Sequence, residues 1–186
     1  MSAINEFTPF AVPGFRWQVS KSKPYVRDMT KGGTRAIDYL REKGIDFTVH
    51  EYQVGEFDTS YGEAVAAGLD VPPERLFKTL VARVDERPVV GMVPVSGRLS
   101  LKNLARAAGG KRAVMAEAAD AERLTGYVVG GISPVGQTRR LPTVIDAGAL
   151  EHSSIFVSGG RRGLQLELAA SDLIRLTGAD VAEIAG

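Results

Sequence analysis

Leu76-Phe77-Lys78-Thr79-Leu80-Val81-Ala82-Arg83-Val84 is apolar on both sides of a two-residue period. The alternation places Leu76, Lys78, Leu80, Ala82 and Val84 on one face and Phe77, Thr79 and Val81 on the other. A strand apolar on both faces is expected at the centre of a sheet rather than at its edge. Lys78 interrupts the first row. A buried ammonium without a partner is costly, so this side chain must either reach solvent or point into a polar site.

Working outward, Asp85-Glu86-Arg87 turns the chain into Pro88 to Val95, which predicts an antiparallel hairpin. Upstream, Thr34 caps a helix carrying Ala36, Ile37, Tyr39 and Leu40 on one side, with Gly44 as its stop. Phe47 to Tyr52 alternates as a strand, with Phe47 and Val49 opposite Thr48, His50 and Tyr52. His50 is expected to be a hydrogen-bonded structural residue. Ser60-Tyr61-Gly62-Glu63 is a capping-box pattern opening a short helix through Ala67, with Gly68 closing it.

Downstream, Ser100 caps a helix with Leu101, Leu104, Ala105 and Ala108 inward and Gly109 as the stop. Lys102, Arg106, Lys111 and Arg112 give this region a basic surface, read as a solvated face. Arg112 to Met115 reads as a short strand, and Glu117 to Thr125 as a helix ended by Gly126. Thr143 to Asp146, Ser154 to Val157 and Leu164 to Leu168 read as strands, the last with three leucines inward and Gln165 and Glu167 on the other face. Ser171 is expected to cap the final helix. Helices and strands in this order, with hairpins in the middle, predict an α+β domain built on a mixed, curved sheet.

Two segments are rich in glycine. Gly126 to Pro142 contains Gly130-Gly131-Ile132-Ser133-Pro134, where the missing Cβ atoms permit positive φ and close approach of a ligand to backbone amides. On spacing alone a plain bulge or turn is the readier reading of this pair of glycines, since no complete phosphate-loop or dinucleotide fingerprint is present. Ser158-Gly159-Gly160-Arg161-Arg162-Gly163 is the second segment. Eight of the 21 glycines fall between Gly126 and Gly163, which predicts two loops converging on one site. Arg139, Arg140, Arg161 and Arg162 flank these loops.

Composition narrows the chemistry. The 186 residues are 44% hydrophobic and 24% charged, enough for one domain with a substantial core. There is no cysteine, so disulfides, thiolate metal sites and a protein thiol nucleophile are excluded. With His50 and His152 the only imidazoles, a histidine metal cluster or a serine relay is poorly supplied. A net charge of +1 disfavours a dedicated nucleic-acid binder. No apolar run reaches the ~18 residues of a membrane span and no signal peptide is evident, so a cytoplasmic location is expected. Residues 1 to 30 hold Trp17 and three prolines without periodicity, and are expected to be an extension, disordered or packed on the domain formed by residues 31 to 186.

Phe77-Lys78-Thr79-Leu80, the run from Thr125 to Gly136, Leu141-Pro142-Thr143-Val144-Ile145-Asp146 and Val157-Ser158-Gly159-Gly160 together resemble the YbaK/EbsC family. The resemblance extends from about Thr34 to Ile184. It points to the branch of Cys-tRNA(Pro) deacylases related to the editing domain inserted in bacterial prolyl-tRNA synthetases. It implies a partly open, mixed β-barrel flanked by helices, with a site between the sheet and the glycine loops. The implied activity is trans-editing of cysteine mischarged onto proline tRNA. The implied partners are the aminoacyl-tRNA acceptor end and prolyl-tRNA synthetase, and no cofactor or metal is implied. By the same resemblance Lys78 is the essential lysine, and Tyr52, Tyr61, Thr79, Gly130, Gly131, Ile132, Ser133, Ser158 and Gln165 form the substrate pocket. Two positions depart from the family pattern, with Tyr61 where phenylalanine is expected and Gln165 where aspartate is expected.

The substrate cysteine brings its own thiol, which offsets the absence of a protein nucleophile. The expected protein contribution is orientation and stabilisation of developing negative charge. Two alternatives remain at this point: a deacylase for alanyl or another small aminoacyl-tRNA using water, and a non-catalytic module that binds tRNA or a synthetase. A nucleotide-phosphate hydrolase is disfavoured because clustered acidic metal ligands are lacking.

Overall fold

The computed structural model describes residues 33–52 and 61–186. Helix α1 (Arg35–Glu42) begins at Thr34, whose hydroxyl accepts from the Ile37 amide. Strand β1 (Phe47–Glu51) and helix α2 (Tyr61–Leu69) follow. Strands β2 (Leu76–Val84) and β3 (Arg87–Pro94) form the expected hairpin, turning through Asp85 and Glu86, both at positive φ. Helix α3 (Leu101–Ala107) is capped by Ser100, and a short β4 (Ala113–Met115) leads to α4 (Ala118–Thr125). Strand β5 (Thr143–Asp146), a 3-10 turn over Ala147–Glu151, β6 (Ile155–Ser158) and β7 (Leu164–Leu168) follow, and α5 (Ala170–Thr177) and β8 (Asp180–Ala182) close the chain.

All eight strands join one mixed sheet, ordered β1-β7-β6-β2-β3-β5-β8 with β4 also on β2. The terminal strands β1 and β8 do not pair with each other, so the sheet stays open, in agreement with the partly open α+β barrel expected. The main core lies on the face of Phe77 and Val81, filled by Leu40 of α1, Leu124 of α4 and Leu173 of α5. On the opposite face two helices cover β2 at different points. Leu104 and Ala105 of α3 pack on Ala82 and Val84, while Val65 and Ala66 of α2 pack on Leu76. Lys78 falls between the two covers, which is why it remains only partly buried in an otherwise apolar row.

The edge of β2 opposite β3 is shared. Strand β6 pairs with it in parallel at Leu76 and Phe77, and β4 pairs antiparallel from Ala82 to Val84. Between these ladders the edge has no strand partner among the described residues, and the candidate site lies there.

Several boundaries differ from expectation, most by a single residue; β3, for example, runs Arg87–Pro94 rather than Pro88 to Val95. Gly68 does not close α2 but lies inside it, buried; the helix runs to Leu69 and stops where Asp70 turns left-handed at φ 54 before Pro72. Ser171 is the second residue of α5 rather than its cap. Ala169 starts that helix through backbone geometry alone, because β7 runs into it without a spare residue. The sixth strand starts at Ile155 because Ser154 gives its carbonyl and hydroxyl to Arg75 instead. Among the described residues no helix is long and apolar enough to cross a membrane. The expected extension over residues 1 to 30 and the capping residue Ser60 lie outside the described residues.

Candidate active site

A cleft of about 550 Å³ wraps around the open edge of β2. One wall carries Lys78, Gly62, Val65, Ser158 and Gln165, and the other carries Ala116, Ala121 and Ile132. Gly130 and Arg162 stand at its rim. A second hollow of about 480 Å³ lies behind the glycine loop, between α1 and Pro134 to Gln137. Among the described residues, the two buried polar side-chain atoms without a hydrogen-bond partner, Thr79 Oγ1 and Gln165 Oε1, belong to residues that line the first cleft. Such groups cost free energy unless a ligand satisfies them.

The Lys78 ammonium donates to the Gly97 carbonyl at 2.6 Å. Burial pushes its pKa below the ordinary lysine value of 10.5; Glu63 opposes this shift and Arg98 reinforces it. Thr79, the next residue, points to the opposite sheet face and is 9% exposed. Gln165 is 6% exposed, with Nε2 3.5 Å from the Tyr52 hydroxyl, the outer limit of a hydrogen bond. A neutral amide here avoids the cost of burying a carboxylate.

Of the residues expected to form the site, Lys78, Thr79, Gly130, Ile132, Ser158 and Gln165 line one cleft. Tyr52 stands behind Gln165, packed with Val65 and Phe156. Gly131 and Ser133 lie behind the lining. Gly131 is pressed against the second loop, and the Ser133 hydroxyl accepts from the Val135 amide at 3.4 Å in a buried turn. Tyr61 opens α2, and its side chain lies outside the described residues.

The two glycine loops do meet. The Arg162 guanidinium donates twice to the Val129 carbonyl, at 3.0 and 3.2 Å. A Cβ on Gly131 would lie 2.9 Å from Arg161 Cα, so only glycine allows this approach. Thr34, the cap of α1, also donates its hydroxyl to the Gly159 carbonyl. Of the four flanking arginines, Arg161 pairs with Glu51, Arg162 holds Val129 and Arg140 donates to Thr177.

His50 is hydrogen-bonded, as expected, but its partner is remote in sequence. Its Nε2 lies 3.0 Å from Glu167 on β7. Glu167 also accepts from Arg75 and Ser154. Burial alone would raise the Glu167 pKa, but the hydrogen bonds from Ser154 and His50 and the Arg75 charge bring it below the ordinary value of 4.5.

Sequence reasoning missed the wall made by Met115, Ala116, Ala118 and Ala121, whose apolar side chains carry no chemical signal. It also missed Arg35, which secures the first loop by donating to Thr138, Thr125 and Gly126.

Comparison with known proteins gives consistent results. Residues 57–176 match the aminoacyl-tRNA editing domain. A protein of Enterococcus faecalis provisionally named Cys-tRNA(Pro)/Cys-tRNA(Cys) deacylase EbsC is 37% identical over 156 residues, which is 83% of this chain and 94% of that protein. Among solved structures, one provisionally described as a trans-editing enzyme for prolyl-tRNA synthetase superposes with a TM-score of 0.71 at 25% identity, covering 82% of this chain and 95% of the other. A hypothetical protein, APE2540, gives the same TM-score of 0.71 and identity of 25% over 82% of this chain and 99% of its own.

Proposed function

The chain belongs to the aminoacyl-tRNA editing domain family, and on that premise we propose that it is a trans-acting deacylase that removes cysteine from mischarged Cys-tRNA(Pro). The observation that carries this reading is the cleft itself. It is small and largely apolar, with a volume of about 550 Å³, one partly buried ammonium and two unpartnered polar atoms. It suits a small aminoacyl ester better than a polyanion.

The protein offers no cysteine, so the substrate thiol is the nucleophile. Its sulfur attacks the ester carbonyl. The C–S bond forms, the C–O bond to the terminal ribose breaks, and the thiol proton passes to the leaving ribose oxygen. The products are a cyclic thiolactone, which water later opens, and free tRNA. Proximity supplies most of the acceleration, since thiol and carbonyl belong to the same molecule. Lys78 stabilises negative charge on the ester oxygens or the terminal nucleotide, and Gly130 and Ser158 hold the acceptor end. The reaction takes place in the cytoplasm, where tRNA is charged, with prolyl-tRNA synthetase as the partner that delivers the substrate. A net charge of +1 fits weak affinity for tRNA in the absence of that partner.

The deciding experiment measures amino acid release from Cys-tRNA(Pro), Ala-tRNA(Pro), Pro-tRNA(Pro) and a seryl counterpart of the cysteinyl substrate. Loss of cysteine alone, with thiolactone detected before it hydrolyses, is the expected result. Equal turnover of the seryl and cysteinyl esters excludes thiol assistance.

A further inference from the structure

We propose that the open edge of β2 at Thr79 receives the aminoacyl group as a single-residue β-bridge; this rests on the deacylase reading above and specifies how the substrate is held. In a strand, a residue's N–H and C=O point to the same edge, and successive residues alternate. The phase of β2 is fixed by its neighbours. The Leu76 carbonyl accepts from Val95 on the β3 side, whereas the carbonyls of Arg75 and Val81 accept from Phe156 and Ala116 on the other side. Odd-numbered residues therefore face the shared edge. The β6 ladder ends at Phe77 paired with Val157, and the β4 side begins with the bond from Ala116 to Val81. Thr79 is the residue between them, and its N–H and C=O face the cleft with no ladder partner among the described residues.

An α-aminoacyl ester is one amino-acid residue. It carries the N–Cα–C=O unit with which an antiparallel partner exchanges two hydrogen bonds with the residue opposite. Placed beside Thr79, its amino N–H donates to the Thr79 carbonyl and its ester carbonyl accepts from the Thr79 amide. This is strand addition reduced to one residue. The Thr79 N–H is then aimed at the oxygen that becomes negative when the thiol attacks, which makes it an oxyanion donor fixed by the sheet.

The orientation determines the rest. Antiparallel pairing directs the ester oxygen, and hence the tRNA, toward the β6 end of the gap, where Ser158 and Gln165 line the cleft beside Lys78. Residues opposite each other in a sheet share a face, so an L-side chain enters on the Thr79 side among Ala116, Ala121 and Ile132. The unpartnered Thr79 hydroxyl lies on that side, available to a thiol.

The test is replacement of the residue-79 peptide N–H by an ester oxygen, using the α-hydroxy analogue of threonine, with the same change at Ala82, whose N–H faces β3, as the control. The expected result is a loss in kcat of about 10²–10³ for the swap at 79 and little change for the swap at 82. Parent-like kcat in a folded 79 variant overturns the bridge while leaving deacylation intact. Should that variant not fold, N-acetylcysteinyl and N-acetyl-N-methylcysteinyl-tRNA are compared on the parent protein. The bridge predicts that only the substrate retaining an N–H is turned over well, and equal turnover excludes it. If the parent releases no amino acid at all, the deacylase reading fails. The bridge is then judged by the Thr79 amide resonance with an amide-linked cysteinyl-adenosine, where an unmoved signal rejects it.

Discussion

The Arg35 guanidinium lies 4.6 Å from the centroid of the Tyr127 ring. It also donates to Thr138 Oγ1 at 2.7 Å and to the carbonyls of Thr125 and Gly126. The Tyr127 hydroxyl reaches the Val135 carbonyl at 2.8 Å and the Gly136 carbonyl at 3.1 Å. One arginine on α1 and one tyrosine thus join both ends of the glycine loop. Burial raises the Tyr127 pKa to about 12, against the influence of Arg35, so the hydroxyl remains a donor across the working range. Tyr127→Phe is expected to cost about 1–3 kcal/mol in chemical denaturation, because it leaves the buried Val135 carbonyl unpaired. Arg35→Ala is expected to raise KM more than it lowers kcat, since it loosens the loop without touching the reacting atoms.

Lys78 is expected to set the alkaline limit of activity. Its pKa is lowered chiefly by burial, so on raising the pH its ammonium loses its proton before an ordinary lysine at 10.5 would. Activity is expected to fall on an alkaline limb below that value, and Lys78→Arg is expected to move the limb upward if it supports turnover. Lys78→Ala should lose about 10²–10³-fold in kcat with the fold retained. The sign for stability is opposite. The unfolded chain holds this proton more tightly, so the charged lysine opposes folding at neutral pH. Lys78→Met is therefore expected to be at least as stable as the parent by thermal melting. Near-normal deacylation by folded Lys78→Ala would falsify its assignment.

The central strand was legible because β2 is apolar on both sides, and the caps at Thr34 and Ser100 and the stop at Gly126 follow from local chemistry. What was not legible depends on distant partners. The Arg35 contacts span about a hundred residues, and nothing near Arg35 indicates them. Strand β8 escaped notice because Asp180 and Val181 are exposed and give no alternation. Gly68 misled because a glycine ends a helix only where its backbone turns left-handed, and Asp70 makes that turn instead. The motif residues Lys78 and Thr79 could be identified from sequence. The open edge could not, since it depends on where β4 and β6 stop.

Glu167 on β7 joins His50 of β1 to Arg75 and Ser154, the residues just before β2 and β6, and its net pKa lies below 4.5. Its ionised form favours folding. That contribution is complete above the ordinary value and is lost as the pH falls through the lowered folded value. Glu167→Gln is expected to cost about 1–3 kcal/mol at neutral pH. The gap between parent and variant should narrow in acid, which urea titrations across the acid range would measure. A gap independent of pH would show that the charge is not what matters.

Gly131 tests whether contact between the loops, rather than flexibility within one, shapes the site. A Cβ there meets Arg161 Cα at 2.9 Å and the Arg161 carbonyl carbon at 3.0 Å, both backbone atoms that cannot rotate away. At Gly130 the nearest atom is Arg162 Nε at 2.7 Å, the end of a flexible side chain, and the obstacle is instead φ 87. Gly131→Ala is expected to force the loops apart at a cost of about 1–3 kcal/mol, the usual range for overpacking. Because Gly130 and Arg162 rim the cleft, kcat/KM should fall with it. Arg162→Ala removes the bonds to Val129 without adding bulk, and is expected to raise KM with a smaller loss of stability. If Gly131→Ala matched the parent in both melting and turnover, contact between the loops would not be what shapes the site.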